Sequence, residues 1–415
     1  MAVLHLCLLA AHLTAADSQT WPQWRGPART GHTTGPDFPA QLTGLKQSWR
    51  VPLDKGYPGP IVATDRVFVA ETANGDTEIV RALHRQTGRE LWRASWKGKL
   101  SVPFFAKRNG DWIRSTPAWD GKTLYAGGME EVLVALDGET GRELWRVDFP
   151  QRFDQPKPDF GFASSPLIDG DAIYVQAANS IVKLNKHTGA TLWRSLHHSS
   201  GMMESGAFSS PLIATIAGRR QLVVGTRTTL AGLDLPNGAV LWQQEVPNYR
   251  GMNILTPVVE GDTVFTSLYR MDSFAFRIAY AGNRWQVSEL WKNKTKGYMS
   301  TPVKIGNYLY MLTMNQRFTV LNWSTGESGW TTEPFGAYWS MAARNSRILA
   351  LDEAGKLLLI EANPTKFQLL DSKEVTQSPA WAHLAVAGNE IFIRELNAIT
   401  AYRWEATPSA TATSE

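Results

Sequence analysis

Apolar positions along this chain come in short bursts rather than long stripes. Runs such as Thr123-Leu124-Tyr125-Ala126 and Ala172-Ile173-Tyr174-Val175 alternate or carry β-branched side chains, and Asp-Gly, Gly-Asp or Thr-Gly pairs bound them. Bursts of this length between such turn residues predict β-strands joined by hairpins. Turn signals return every 8 to 12 positions, roughly, and no long 3.6-residue periodicity intervenes, so a helical solenoid is set aside.

The bursts are organised into a repeat. Ser-Thr-Pro-Ala-Trp-Asp-Gly-Lys-Thr-Leu-Tyr-Ala over 115–126 leads to Ala-Leu-Asp-Gly-Glu-Thr-Gly-Arg-Glu-Leu-Trp-Arg over 135–146. The same phrase runs from Ser165-Pro166 to Trp193-Arg194, from Ser210-Pro211 to Trp242, from Thr256-Pro257 to Trp291 and from Thr301-Pro302 to Trp330. An earlier copy spans Gly59-Pro60 to Trp92, and two degenerate copies begin near Ser340 and at Ser378-Pro379. Eight copies of about 40 to 50 residues, each with four short strands, predict an all-β, eight-bladed β-propeller of four-stranded antiparallel blades.

The ends of the repeat predict how the ring closes. The last copy stops at Ala401-Tyr402-Arg403-Trp404, where its fourth strand should begin, while residues 45–51 form an orphan fourth strand ahead of copy one. The N-terminal strand is therefore expected to complete the last blade and remove the free sheet edges. The propeller occupies 45–404, preceded by a leader over 17–44 and followed by a small, polar tail over 405–415 that reads as disordered.

Composition changes this picture at three points. Residues 1–16 carry an apolar stretch, Val3 to Ala11, too short to span a bilayer, with Thr14 and Ala16 at the small positions before a cleavage point. This reads as a signal peptide without the usual basic start, so the chain is expected to be exported, periplasmic and soluble, with no membrane span. Seventeen Trp stand against a single Cys, Cys7, inside that segment, which assigns the packing to aromatic side chains and leaves no disulfide. A formal charge of +4 without a basic run gives no reason to expect a nucleic-acid partner, and nothing calls for more than a monomer.

Leu-Asp-x-x-Thr-Gly-x-x-Leu-Trp-Arg after an upstream Ser/Thr-Pro-x-x-x-Gly-Asp-x-Ile-Tyr-Val resembles the pyrroloquinoline-quinone-type (PQQ-like) propeller repeat, over about residues 45–404. The leader, Trp21-Pro22-Gln23-Trp24-Arg25-Gly26-Pro27 followed by Gly31, is similar to that of exported bacterial members of this family. The resemblance implies that Trp49, Trp92, Trp145, Trp193, Trp242, Trp291 and Trp330 pack between blades, and copy seven departs by placing Leu369-Leu370 there. It also implies two contrasting functions. Quinoprotein dehydrogenases of the family hold PQQ over calcium with a Glu, an Asn and an Asp, under a clamp of adjacent Cys residues; Glu204 and Asn253 fall in loops of suitable position, but the clamp is lacking. The propeller lipoprotein of the outer-membrane β-barrel assembly machine, a more distant likeness, works as a scaffold, though its acylated Cys is missing here.

No Gly-x-Ser-x-Gly elbow, phosphate loop, His-Glu-x-x-His motif or spaced metal-ligand set occurs. Long connections run from each fourth strand to the next blade, as over 97–111, 148–160 and 197–205, and all fall on one rim, the expected functional face. Residues entering the innermost strands supply the funnel candidates: Tyr57, Trp112, Arg114, Phe162, Glu204, Asn253, Tyr298, Tyr338 and Trp339. Aromatic groups with Arg114 and Glu204 as anchors suit a flat or sugar-like ligand, but packing of the crowded inner strands is the stronger explanation for any one aromatic. The basic set Lys97, Lys99, Lys107 and Arg108 lies in the longest rim loop, beside Phe104 and Phe105. The leading expectation is a non-catalytic binding or scaffolding propeller of the cell envelope, with a protein or small-molecule partner and no cofactor. The alternative is PQQ- and calcium-dependent oxidation of an alcohol or sugar.

Overall fold

Eight four-stranded antiparallel sheets follow one another around a central axis. The computed structural model describes residues 19–197 and 208–405. The signal-peptide segment with Cys7, the loop residues His198, Met203 and Glu204, and the tail from 406 lie outside them. Blade one occupies 61–97, two 118–148, three 167–195, four 212–245, five 258–293, six 303–334, seven 339–374 and eight 385–403. Each blade runs outward from the axis in strand order, and the interiors of adjacent blades merge into shared apolar clusters, as where Val80 and Trp92 of blade one meet Leu124 and Val134 of blade two.

The strand Lys46–Pro52 pairs antiparallel with Ala398–Arg403, from Lys46 opposite Arg403 to Pro52 opposite Ala398, with a bulge between Gln47 and Trp49. It is the outer strand of blade eight, one residue along from the 45–51 read in the sequence. The start of the eighth copy does need correcting. Its inner strand is Ala385–Ala387, and Ser378-Pro379 belongs to the loop before it. Leu396 donates its N–H to the Pro379 carbonyl there, so this Ser-Pro serves a loop rather than a strand start.

The Ser/Thr of the recurring Ser/Thr-Pro links neighbouring blades. The N–H of Gly59 donates to Thr116 Oγ1, that of Thr116 to Ser165 Oγ, of Ser165 to Ser210 Oγ, of Ser210 to Thr256 Oγ1 and of Thr256 to Thr301 Oγ1, at 2.9 to 3.3 Å. This girdle runs from blade one to blade six around the axis, and each link satisfies a buried backbone N–H.

Fourth-strand tryptophans form an outer set of links. The indole N–H of Trp49 donates to Arg85 O, Trp92 to Gly138 O, Trp145 to Lys186 O, Trp193 to Leu235 O, Trp291 to Trp323 O and Trp330 to Asn363 O, each in the next blade's last hairpin. Trp242 instead donates to Gln221 Oε1 of its own blade, while its ring packs with Val264 and Phe276 of blade five. Blade seven is complete, with strands Trp339–Arg344, Arg347–Asp352, Lys356–Glu361 and Gln368–Glu374. Asp371, not Leu369 or Leu370, takes the tryptophan register, opposite Leu359 and next to the bulge. The reason is ring closure. Blade eight is closed by two chain ends and has no last hairpin to receive an indole. The 3₁₀ turn Leu42–Gly44 lies there instead, and Leu42 donates its N–H to Asp371 Oδ2 at 2.6 Å.

Candidate functional site

The leader turns the central channel into a blind funnel. Trp21 exchanges both backbone hydrogen bonds with Val62 of blade one, Trp119 of blade two donates its N–H to Pro22 O, and Thr33 donates to Ala343 O of blade seven. The Arg25 guanidinium donates to Thr301 O at 2.6 Å, Pro302 O at 2.8 Å and Thr30 O at 2.5 Å; that of Arg29 donates to Pro166 O at 2.7 Å and Ser165 O at 3.0 Å. These acceptors lie at the entry to the inner strands of blades six and three, on opposite sides of the axis. The Trp24 ring lies 5.6 Å from both guanidinium carbons. The face carrying the tight hairpins between first and second strands is thus sealed along much of its diameter.

The opposite face stays open around a cavity of about 230 Å³. Its floor is Trp24, Arg25 and His383, and its walls include Tyr57, Arg114, Phe208, Tyr338, Trp339 and Trp381. The His383 ring stacks on Trp21 at 6.0 Å, and burial drives its pKa down to about 3, so the imidazole is neutral. Arg114 donates to Gly110 O at 2.5 Å, and burial lowers its pKa. An aromatic chain follows the mouth: Trp112 to Tyr57 at 5.5 Å, Tyr57 to Trp381 at 4.9 Å, Trp381 to Tyr338 at 4.5 Å, Tyr338 to Tyr298 at 5.6 Å, Tyr298 to Tyr269 at 4.7 Å and Tyr269 to Tyr249 at 6.0 Å. Cations cover both ends, Lys55 at 4.9 Å from the Trp112 ring and Arg270 at 4.7 Å from that of Tyr249. Such contacts add favourable energy beyond area burial.

Buried carboxyls tie the hairpins behind this rim together. Glu78 of blade one accepts from Met129 N and from Trp96 Nε1, both at 2.6 Å, and Glu131 of blade two accepts from Ala178 N of blade three at 2.8 Å. Burial pushes each carboxyl up to about 7.

Of the residues singled out in the sequence, Tyr57, Arg114, Tyr338 and Trp339 line the cavity, while Trp112 and Tyr298 belong to the aromatic chain beside it. Phe162 does not reach the funnel: it is buried against Phe149 and the backbone of Gly127, in the core shared by blades two and three. Asn253 is also buried, and its Nδ2 donates to Arg227 O at 2.8 Å. Glu204 lies outside the described residues. Sequence reading missed Trp24, Arg25, Trp381 and His383. The first two sit in a leader motif whose contacts to the blades are remote in sequence, and the last two precede an inner strand that starts five residues later than the spacing after Ser378-Pro379 implies.

The described residues do not fit a calcium-bound quinone. Among them no Asp or Glu lines the funnel, and no group of three His, Cys, Asp or Glu is arranged to hold a metal. A hard dication requires several converging oxygens with carboxylates among them, whereas the charged groups on this wall are the cations Arg25 and Arg114.

Comparison with known proteins agrees with the architecture. Residues 76–332 match the family described as outer membrane protein assembly factor BamB. The factor of that name from Yersinia pestis is 21% identical over 259 residues, which cover 61% of this chain and 61% of that protein, so this chain spans about three-fifths of its relative's length. A quinone-type alcohol dehydrogenase subunit from Gluconacetobacter polyoxogenes is 28% identical over 134 residues, covering 32% of this chain and 17% of that one. The crystal structure of BamB from Moraxella catarrhalis superposes with a TM-score of 0.65 at 17% identity, over 88% of this chain and 98% of that one, a likeness of fold. With the repeat, the eight blades and the profile match over more than half its length, the chain belongs to the family described as outer membrane protein assembly factor BamB.

Proposed function

We propose that this protein is a non-catalytic scaffold of the bacterial cell envelope that holds a protein partner against the open rim of its funnel. The observation that carries this reading is the difference between the two faces. One is sealed by the leader; the other presents the long loops and the aromatic mouth on a rigid ring. At the tip of the longest loop, in the 3₁₀ turn Phe104–Asn109, Phe104 is 85% and Phe105 52% exposed. Phe105 rests on Phe160, and Phe160 on Phe208 at the funnel wall. Exposed phenylalanines at the end of a buttressed loop are a common signature of a docking surface. Membership of an assembly-factor family supports the same reading. Envelope location rests on the signal-like N-terminus and on those relatives; no helix among the described residues is long and apolar enough to cross a membrane.

The test is a partner capture from envelope extract with the mature protein, set beside the Phe104→Ser/Phe105→Ser double variant. The scaffold reading expects a partner retained by the parent and lost by the variant, with unchanged melting. The dehydrogenase reading draws its support from the 134-residue likeness to the quinone-type enzyme. It expects PQQ with calcium to bind and an electron-accepting dye to be reduced; the scaffold reading expects neither.

A further inference from the structure

The leader leaves one sector of the sealed face uncovered. Its hydrogen bonds go to blades one, two and three on one side of the axis and to blades six, seven and eight on the other. Between these two sets the inner strands Leu212–Ile216 and Val258–Glu260 of blades four and five stand beside the leader across a cleft of about 220 Å³. One wall of the cleft is apolar, made by Leu212, Ile213, Ala214, Val258 and Val259, all half-buried. The other wall is the leader itself, with Arg25, Arg29, Thr30 and His32.

That leader wall carries charge without an opposite charge. Arg25 and Arg29 are 2% and 4% exposed, neither forms an ion pair among the described residues, and the Nε of each is buried without a hydrogen-bond partner. Their remaining N–H groups are spent on carbonyl oxygens, which supply partial charge but no net negative charge. Burial brings both guanidinium groups down to about 9, and for Arg29 the charge of Arg25 adds to the effect. At the edge of the cleft Lys304 is already paired with Glu260, and His32, bonded to Lys304 O at 2.8 Å, is held towards its neutral form by burial. Two positive charges therefore remain uncompensated beside an apolar wall, an arrangement that is costly unless a counter-charge completes it.

We propose that this cleft binds a small organic carboxylate, its charged group drawn to the Arg25 and Arg29 edge and its apolar body against the inner strands of blades four and five. The attraction comes from charge, since most of the guanidinium N–H groups are already engaged, and apolar contact supplies selectivity. The cleft is smaller than the ~300 Å³ at the lower end of drug-sized pockets, which limits the ligand to a short-chain or single-ring acid.

Benzoate is a suitable probe, with benzamide as its neutral counterpart and inorganic phosphate as an anion without an apolar body. Saturation-transfer NMR and thermal melting of the mature protein are read at low, matched ionic strength. Benzoate is expected to bind in the millimolar range and to raise the melting temperature, while benzamide and phosphate do neither. Ala214→Phe, which fills the apolar wall, and Val259→Glu, which sets a negative charge in it, each weaken benzoate at least tenfold. Neither residue hydrogen-bonds the leader, and melting without ligand identifies a variant that fails to fold. Equal binding of benzamide or phosphate, no benzoate binding at 10 mM (~10 mM being the weak end of the range proposed), or unchanged binding in the folded variants would overturn the assignment.

Discussion

The Trp145 indole lies against Gly189 in the next blade's last hairpin, and the glycine is required there twice over. Its φ is +69°, and a Cβ would come within 2.8 Å of Trp145 Cε3. Gly170 in the same blade has φ +54° but open space around it. Gly170→Ala should therefore cost only the left-handed backbone penalty, about 1–2 kcal/mol, and Gly189→Ala about 2–4 kcal/mol once overpacking is added. Urea melts of the two variants check that order. A second residue-scale prediction concerns Glu131. Its pKa is raised by burial, so the folded state binds the proton more tightly than the unfolded chain between about pH 4.5 and 7, and stability from this group is present at acid pH and lost as pH rises. Glu131→Gln abolishes that loss, and the melting temperature of the variant relative to the parent should climb from pH 5 to pH 8 by the equivalent of roughly 2–3 kcal/mol. A flat difference would show that Glu131 is ionised at no cost. The Trp and Gly periodicity was readable in the sequence because each pair lies in a repeated phrase. The buried Glu pegs were not, since Glu78, Glu131 and any exposed glutamate look alike until the neighbouring hairpin is in place.

Two elements close the ring, and both come from the N-terminal end. The strand Lys46–Pro52 could be foreseen because blade eight lacked a fourth strand and 45–51 lacked a partner. The leader's contacts could not, since Arg25 reaches Thr301 and Pro302 across 276 and 277 positions and no local pattern signals such a bond. Asp371 stands between the two cases: the missing Trp was visible, but its cause lies in the absent hairpin of blade eight and the Leu42–Gly44 turn that takes its place. Removing the strand 46–52 should lower the melting temperature of the whole ring, because it exposes both the edge of blade eight and the apolar cluster shared by Trp49, Phe392 and Tyr402. A truncated chain that melts like the parent would contradict this role. Asp371→Ala, which leaves Leu42 N–H without its acceptor, should cost about 1–3 kcal/mol in a urea melt. Asp371→Trp should not restore the loss, as no hairpin waits to receive the indole.

At the scale of the molecule, a ring held by an inner girdle of hydroxyls, an outer set of indoles and an axial leader leaves one face of its funnel open. Fold class, blade number and the loop-rich rim were legible because repetition multiplies a weak local signal eightfold. The funnel was legible only in part: Tyr57 and Arg114 lie just ahead of well-marked repeat starts and Tyr338 and Trp339 beside Ser340, whereas Trp24 reaches it from the leader and Trp381 from a loop longer than the repeat pattern implies. The proposed role of the open rim is to dock a protein. Site-specific photo-crosslinking in the native envelope tests it most directly, with the reactive side chain placed at Phe104 or Tyr298 on the rim, or at Lys122 in a hairpin of the leader-covered face. Docking at the rim should give one discrete protein adduct from both rim positions and none from Lys122. Adducts from Lys122 alone, or none from the rim in cells whose extract shows PQQ-dependent dye reduction by this chain, would contradict it.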